Sequence, residues 1–142
     1  MKQAVIDASV VLKWYLKDEA HGANALMLLD KYILNRLDLF APALLQYEVI
    51  NALIIAQKRG RVKDETILKA IEGFASLEIK FMDISRLYIT IMNYCRAYKC
   101  SAYDASYLSI AYHEGMPFIT SDERLYNSVK KDLKWVKWIG EI

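Results

Sequence analysis

Short apolar runs alternate with longer amphipathic segments along the whole chain. The short runs predict strands at residues 3–6, 37–41, 78–82, 117–120 and 135–139, the last as an edge strand. The segments between them carry apolar residues at helical spacing and predict helices over residues 9–16, 20–36, 42–59, 64–75, 85–98, 101–115 and 122–130. This alternation indicates an α/β fold with a mainly parallel sheet and helices on both faces.

The chain shows no internal repeat, linker or low-complexity tract, so residues 1–142 are predicted to form a single domain. A hydrophobic content of 55% with only two prolines excludes a disordered or collagen-like chain. Pro42 is predicted in the first turn of the third helix.

The net charge of +2 is too small to indicate a nucleic-acid partner by bulk charge, so any such site has to be found in local chemistry. No segment approaches the roughly 18 apolar residues that cross a bilayer, and no signal-peptide cleavage site follows the N-terminus. A cytoplasmic location is the expectation.

The two cysteines, Cys95 and Cys100, are five residues apart. On a continuous helix this spacing directs the side chains to different sides, which argues against a disulfide. No histidine stands at a zinc-ligand spacing from them. We expect free thiols.

Three aspartates stand where strands end or helices begin. Asp7 and Asp122 follow predicted strands, and Asp104 lies in the first turn of the helix that Ser101 opens. Each has a structural explanation, since Asp7 or Asp122 is a suitable helix N-cap and Ser101-x-x-Asp104 is like a capping box.

Glu48 lies in the middle of a predicted helix that is apolar almost all round, with Asn51 about one turn later. A buried and unpaired carboxylate there costs several kcal/mol. The alternatives are a solvated Glu48 or one paired with a lysine, which the apolar surroundings on the helix weaken. Asn51 could form a hydrogen bond within the same site.

The ends of the first and fourth strands are expected to be neighbours where the strand order reverses. Asp7 and Asp122 would then converge, and nearby helices would add Asp104 and Glu48. Clustered carboxylates repel one another unless a cation or shared protons intervene. Hard oxygen ligands with open positions suit Mg²⁺ or Mn²⁺, which activate water and hold phosphate oxygens during phosphodiester cleavage.

Four short motifs carry a resemblance to a known family. They are Ala4-Val5-Ile6-Asp7-Ala8-Ser9, Pro42-x(5)-Glu48-x-x-Asn51, Ser101-Ala102-Tyr103-Asp104-Ala105 and Ile119-Thr120-Ser121-Asp122-Glu123-Arg124-Leu125. In this order and at this spacing, the chain resembles a PIN domain over essentially its full length. The compact chain is most similar to the toxins of VapBC toxin–antitoxin pairs.

The resemblance implies a three-layer α/β/α fold and a Mg²⁺- or Mn²⁺-dependent endoribonuclease. Asp7, Glu48, Asp104 and Asp122 would be the catalytic, metal-binding acids, with Asp7 and Asp104 as the direct ligands. Ser9, Asn51 and Thr120 would be the residues around them, Ser9 and Thr120 orienting the carboxylates. It also implies a homodimer and a small antitoxin protein, which inserts a basic residue into the acidic site.

Other functions remain as alternatives. Asp7-Ala8-Ser9 lacks the adjacent acidic pair of a receiver domain and the Asp-x-Asp of a haloacid-type phosphatase. A catalytically silent PIN-fold binding module, or a PIN nuclease of RNA processing without an antitoxin, stays open. Two basic clusters have either a helix-capping or an RNA-binding explanation: residues 58–63, and Lys130, Lys131, Lys134 and Lys137.

Overall fold

The structure is a computed structural model that describes all 142 residues. Its centre is a five-stranded sheet in the order β3-β2-β1-β4-β5, and every neighbouring pair is parallel. The strands are β1 (Gln3–Ile6), β2 (Asp38–Pro42), β3 (Lys80–Met82), β4 (Phe118–Thr120) and β5 (Val136–Trp138). The predicted parallel sheet is therefore confirmed, and β5 is an edge strand as expected.

Seven α-helices cover this sheet, with a short 3-10 helix at Ile139–Glu141. They are α1 (Ala8–Tyr15), α2 (Gly22–Ile33), α3 (Leu44–Lys58), α4 (Asp64–Ser76), α5 (Tyr88–Tyr98), α6 (Ala102–Glu114) and α7 (Glu123–Val129). Helix α6 packs across β1, β2 and β4, with α5 beside it. Helix α1 contacts β4 and α3 contacts β2, whereas α2 packs on α1 and α4 packs on α3. The fold is a three-layer α/β/α arrangement.

The strands of the sheet centre are apolar because both of their faces are covered. Ala4, Val5 and Ile6 of β1 are completely buried, as are Phe118 and Ile119 of β4. Helix α6 is buried continuously over residues 105–111, which is unusual for a helix and explains why its sequence has no clear amphipathic pattern. This rigid centre holds the ends of β1 and β4 in place.

Some predicted boundaries are wrong in ways that local chemistry explains. Pro42 ends β2, and the following helix begins at Leu44. The pairing of β2 with β1 stops at Phe40. Pro42 lies beyond this point, so its missing amide hydrogen costs no hydrogen bond to β1. Strand β3 begins two residues later than predicted because Glu78 has a φ of 53°, a left-handed conformation that a strand excludes.

The strand order reverses between β1 and β4. Strands β2 and β3 lie on one side of β1, and β4 and β5 lie on its other side. The register pairs Ile6 with Ile119, so these two strands end side by side. In open parallel sheets, the crevice beyond such a switch point is where ligands bind. No helix of the structure combines the length and the apolar character needed to cross a membrane.

Candidate active site

Asp7 stands directly after β1 and caps the N-terminus of α1. Its Oδ1 accepts a hydrogen bond from the backbone N of Val10 at 3.4 Å and another from the Ser9 hydroxyl. Its Oδ2 accepts a hydrogen bond from the Thr120 hydroxyl at the end of β4. The helix-cap explanation for Asp7 is therefore correct, and the same carboxylate also joins the two central strands.

The loop that follows β4 is tied to Asp7 through these two hydroxyls. The backbone N of Ser121 donates to the Ser9 hydroxyl at 2.9 Å, and the backbone N of Asp122 donates to the Thr120 hydroxyl at 3.0 Å. Thr120 is completely buried, so this contact is held by the core. Ser9 and Thr120 thus stand where the sequence predicted them, as donors that fix the orientation of the Asp7 carboxylate.

Asp122 and Asp104 are brought together from β4 and α6. Asp122 caps α7 and accepts from the backbone N of Leu125 at 3.1 Å, while Ser101 caps α6 by accepting from the backbone N of Asp104 at 3.1 Å. Only the Ser101 half of the capping box forms, so the Asp104 carboxylate is not used by the cap. Asp104 and Asp122 line one cavity of about 60 Å³.

Glu48 is half-buried on α3, and its carboxylate contacts α6, the helix that carries Asp104. Its Oε1 accepts a hydrogen bond of 2.6 Å from the hydroxyl of Tyr107, a buried residue of α6. Glu48 has no lysine or arginine partner, so the ion-pair alternative is excluded. The Tyr107 ring stacks on Phe118 of β4 at 5.7 Å, which fixes the hydroxyl that holds Glu48.

Tyr107 is a positioning residue that the sequence did not reveal. It lies three residues after Asp104 on the same helix, but within a continuously buried segment nothing distinguishes it from a core tyrosine. Only the contact between α6 and α3 shows its function.

Tyr107→Phe tests this assignment. The change keeps the ring and removes the hydroxyl, so Glu48 loses its orientation while the packing remains. We expect Mn²⁺ affinity to fall about tenfold, the typical cost of removing a residue that orients a ligand. Titration calorimetry measures the affinity, with Tyr112→Phe as the control, because Tyr112 is an exposed tyrosine of the same helix. Equal Mn²⁺ affinity in both variants and the wild type would contradict the assignment.

The carboxylates destabilise one another's charges. Burial, and then the negative charge of Asp122, raises the pKa of Asp7 to about 7, despite the opposing hydrogen bonds from Ser9 and Thr120. Burial, and then the charge of Asp122, also raises the pKa of Asp104. Burial raises the pKa of Glu48, and Asp104 adds to this effect against the Tyr107 hydrogen bond. The four acids therefore form one electrostatic group.

The chemistry of this group suits a hard divalent cation. The two salt bridges of the protein, Arg61–Asp18 and Lys80–Asp38, involve none of the four acids. No three acidic, histidine or cysteine side chains stand close enough to enclose an ion by themselves. Mg²⁺ is commonly held by one or two carboxylates with several waters, so this more open arrangement fits it.

Asn51 lies beside Glu48 but is not in the cavity that Asp104 and Asp122 line. Its side chain is exposed and forms no hydrogen bond with any of them. It lines a separate, mostly apolar cavity of about 570 Å³, where it faces the same space as Glu48, Tyr47 and Tyr103. The residue stands beside the candidate site rather than within its hydrogen-bonded part.

The two cysteines are free, as predicted, although they do not lie on one continuous helix. Helix α5 does not continue, because Lys99 adopts a left-handed conformation with φ 52° and turns the chain. The Cys100 thiol then lies 3.7 Å from the carbonyl oxygen of Tyr94, close to Cys95. Burial raises the pKa of Cys100 to about 11, which makes it a poor nucleophile.

The fold and the acidic group define an α/β protein with a carboxylate centre at the switch point of a parallel sheet. The PIN domain family model matches residues 4–131, so the chain belongs to the PIN domain family. Members of this family are generally nucleases that use divalent metals.

One solved structure shows the same fold over the whole chain. It is the crystal structure of PAE2754 from Pyrobaculum aerophilum, with a TM-score of 0.70 and 20% sequence identity, over 99% of this chain and 92% of that one. None of the curated proteins matches this chain significantly. At this identity, the structural likeness extends to the fold alone.

Proposed function

We propose that this protein is a ribonuclease that requires Mg²⁺ or Mn²⁺, bound by Asp7, Glu48, Asp104 and Asp122. The observation that carries the proposal is a chain of neighbouring carboxylates around the switch point, in which Asp122 acts on Asp7 and Asp104, and Asp104 acts on Glu48, without a salt bridge to any of them. A structural role does not explain why a core would collect acids whose charges destabilise one another. A bound divalent cation explains this arrangement, because its positive charge stabilises the ionised carboxylates.

The residues of this chain have separable roles in that reaction. Asp7 and Asp104 are the direct ligands, and the hydroxyls of Ser9 and Thr120 keep the Asp7 oxygens in place. Tyr107 keeps Glu48 directed toward Asp104. When bound, the divalent ion polarises phosphate oxygens and activates the attacking water.

Cleavage of a labelled RNA pool of mixed sequence tests the proposal. We expect fragments with Mg²⁺ or Mn²⁺ and intact RNA with EDTA, while an equivalent DNA pool stays intact. The choice of RNA over DNA rests on the resemblance to PIN-domain toxins. RNA that stays intact with either metal, for a well-folded protein that still binds it, would favour the silent binding module.

We further propose that a small antitoxin protein restrains this nuclease by inserting a basic residue into the acidic site. An arginine is best suited, because its planar guanidinium bridges two carboxylates and replaces the charge of the metal. Co-purification from the native cell is expected to recover such a partner, and Arg→Ala in its inserted segment is expected to relieve inhibition. Recovery of the chain alone and active, with no effect on growth, would remove the toxin assignment but leave the nuclease.

We also propose a homodimer, formed through an exposed apolar face on α3 and α5. Tyr47, Ile50 and Ile54 of α3 are exposed, as are Tyr88 and Ile89 of α5. Helix α4, in contrast, exposes only Leu68 among its large apolar side chains. Two adjoining cavities share Leu44 and Tyr103 within this face. A second copy would bury this apolar surface.

Light scattering tests this face. We expect a dimer at micromolar concentration and a monomer for Ile54→Glu, since a charge at a buried apolar contact is costly. Leu34→Glu is the control, because Leu34 is exposed at the end of α2. A monomeric wild type, or an Ile54→Glu variant that stays dimeric, would contradict the proposed interface.

A further inference from the structure

The edge of the molecule formed by α7 and β5 carries a concentrated positive charge. Lys130, Lys131, Lys134 and Lys137 line one concave surface of about 340 Å³, which we call the lysine surface. The whole chain has a net charge of only +2, so this surface is a local excess rather than a sample of the average. Such a patch attracts anions even where bulk charge does not.

Acidic side chains do not neutralise this surface. Glu141 is the only acid that lines it, and none of the four lysines takes part in a salt bridge. The ammonium groups of Lys134 and Lys137 donate to the carbonyl oxygens of Lys130 and Lys134, at 3.2 and 2.8 Å. These contacts hold two of the cations in place at the end of α7, but carbonyl groups leave the full positive charge uncompensated.

Aromatic rings accompany the lysines. Tyr126 lines the same surface, and the Lys130 ammonium stands 5.8 Å from the centre of its ring. The Tyr126 ring in turn lies 5.6 Å from that of Trp138, and both side chains are partly exposed. Cations that follow a phosphate chain, beside rings on which bases stack, are the elements of single-strand binding.

Helix α7 connects the lysine surface to the acidic group. Asp122, Tyr126 and Lys130 are four residues apart in sequence, so they follow one ridge of the helix from its N-cap to its C-cap. At about 1.5 Å per residue, this ridge is roughly 12 Å long. A nucleic-acid strand with one phosphate at the acids reaches the lysines within a few nucleotides.

We propose that the lysine surface binds the backbone of single-stranded RNA that flanks the cleaved bond, with Tyr126 as a stacking platform for a base. This inference rests on the proposed ribonuclease function and adds the position of the RNA strand on the protein surface. The acidic group repels phosphates when no metal is bound, so most of the affinity for RNA has to come from outside it. The lysine surface supplies that affinity and leads the strand along α7 to the acids.

The test measures binding of a fluorescent single-stranded RNA of mixed sequence by anisotropy, in EDTA so that the strand stays intact. For Lys134→Gln with Lys137→Gln, we expect Kd to rise about tenfold. The slope of log Kd against log salt is expected to fall by about 1.4, or about 0.7 for each lost phosphate contact. Lys31→Gln with Lys69→Gln is the matched control, because both lysines are exposed on other helices and unpaired.

A second variant guards against an effect on the fold. Lys131 is exposed and donates no hydrogen bond within the protein, so Lys131→Glu changes charge alone. It is also expected to weaken RNA binding. An unchanged Kd and salt slope in both lysine variants would overturn the inference, as would binding to anionic phospholipid vesicles with no lysine-dependent binding to RNA.

The two proposals fail separately. RNA binding that depends on the lysine surface, without cleavage in Mg²⁺ or Mn²⁺, would support the surface and remove the nuclease. Metal-dependent cleavage with wild-type RNA affinity in both lysine variants would support the nuclease and remove the surface.

Discussion

Asp7→Asn is expected to abolish RNA cleavage, lowering the rate by at least about a thousandfold. The amide has the shape of the carboxylate but no charge, and Asp7 is the acid with the most contacts across the site. It accepts hydrogen bonds from Ser9, Val10 and Thr120, so its oxygens are held in a fixed orientation near Asp122. In the proposed site, the loss of its charge would remove a direct ligand and with it the ion.

The measurement is single-turnover cleavage of labelled RNA in Mn²⁺, with circular dichroism to show that the variant is folded. Asp30→Asn is the matched control, since Asp30 is an exposed aspartate of α2 without a salt bridge. Wild-type rates are expected for this control. A folded Asp7→Asn protein that cleaves RNA as fast as Asp30→Asn would exclude Asp7 from the metal site.

The second large effect concerns the stability of the metal-free protein. The pKa of Asp7 is about 7 in the folded state and about 4 in an unfolded chain. Between these values the folded protein keeps a proton that the unfolded chain has released. The stabilisation is therefore complete below about pH 4 and is lost as the pH rises through about 7, by about 4 kcal/mol in total.

Urea unfolding in EDTA at about pH 5 and about pH 8 measures this loss. Within that window, the free energy of unfolding of the wild type is expected to fall by about 3 kcal/mol relative to Asp7→Asn, which has no titrating group at this position. Mg²⁺ added at the higher pH is expected to restore stability to the wild type only, because a cation binds the ionised carboxylate. A parallel pH dependence of the two proteins would mean that Asp7 is ionised in the core without a cation.

The sheet was predictable from the sequence because strands buried on both faces are apolar without interruption. Val5-Ile6 and Phe118-Ile119 are such strands, and each is followed by an acidic residue at the end where ligands bind. The expected neighbourhood of the first and fourth strands is confirmed by the register, and it brings Thr120 into hydrogen-bond contact with Asp7.

The contacts between helices were not predictable in the same way. Tyr107 and Glu48 are 59 positions apart, and nothing in either segment specifies that α6 places a hydroxyl beside α3. Asn51 was expected to join the acids by a hydrogen bond because it is near Glu48 in sequence, but it shares only a cavity with Glu48 and forms no such bond. The end of the fifth helix at Tyr98 was predicted, but the left-handed conformation of Lys99 was not, because no glycine marks it.

The central claim, that a carboxylate-bound metal ion activates water to cleave RNA, is tested most directly by cleavage in water enriched in ¹⁸O. The RNA products of a single turnover are analysed by mass spectrometry. Attack by water predicts one ¹⁸O atom in the single terminal phosphate that each cleavage creates, and an unlabelled hydroxyl on the other end. This labelling is expected in wild-type protein with Mg²⁺ or Mn²⁺, and neither in EDTA nor with Asp7→Asn. Unlabelled 2′,3′-cyclic phosphate ends, formed equally with EDTA, would show that the RNA itself supplies the nucleophile and would contradict the account.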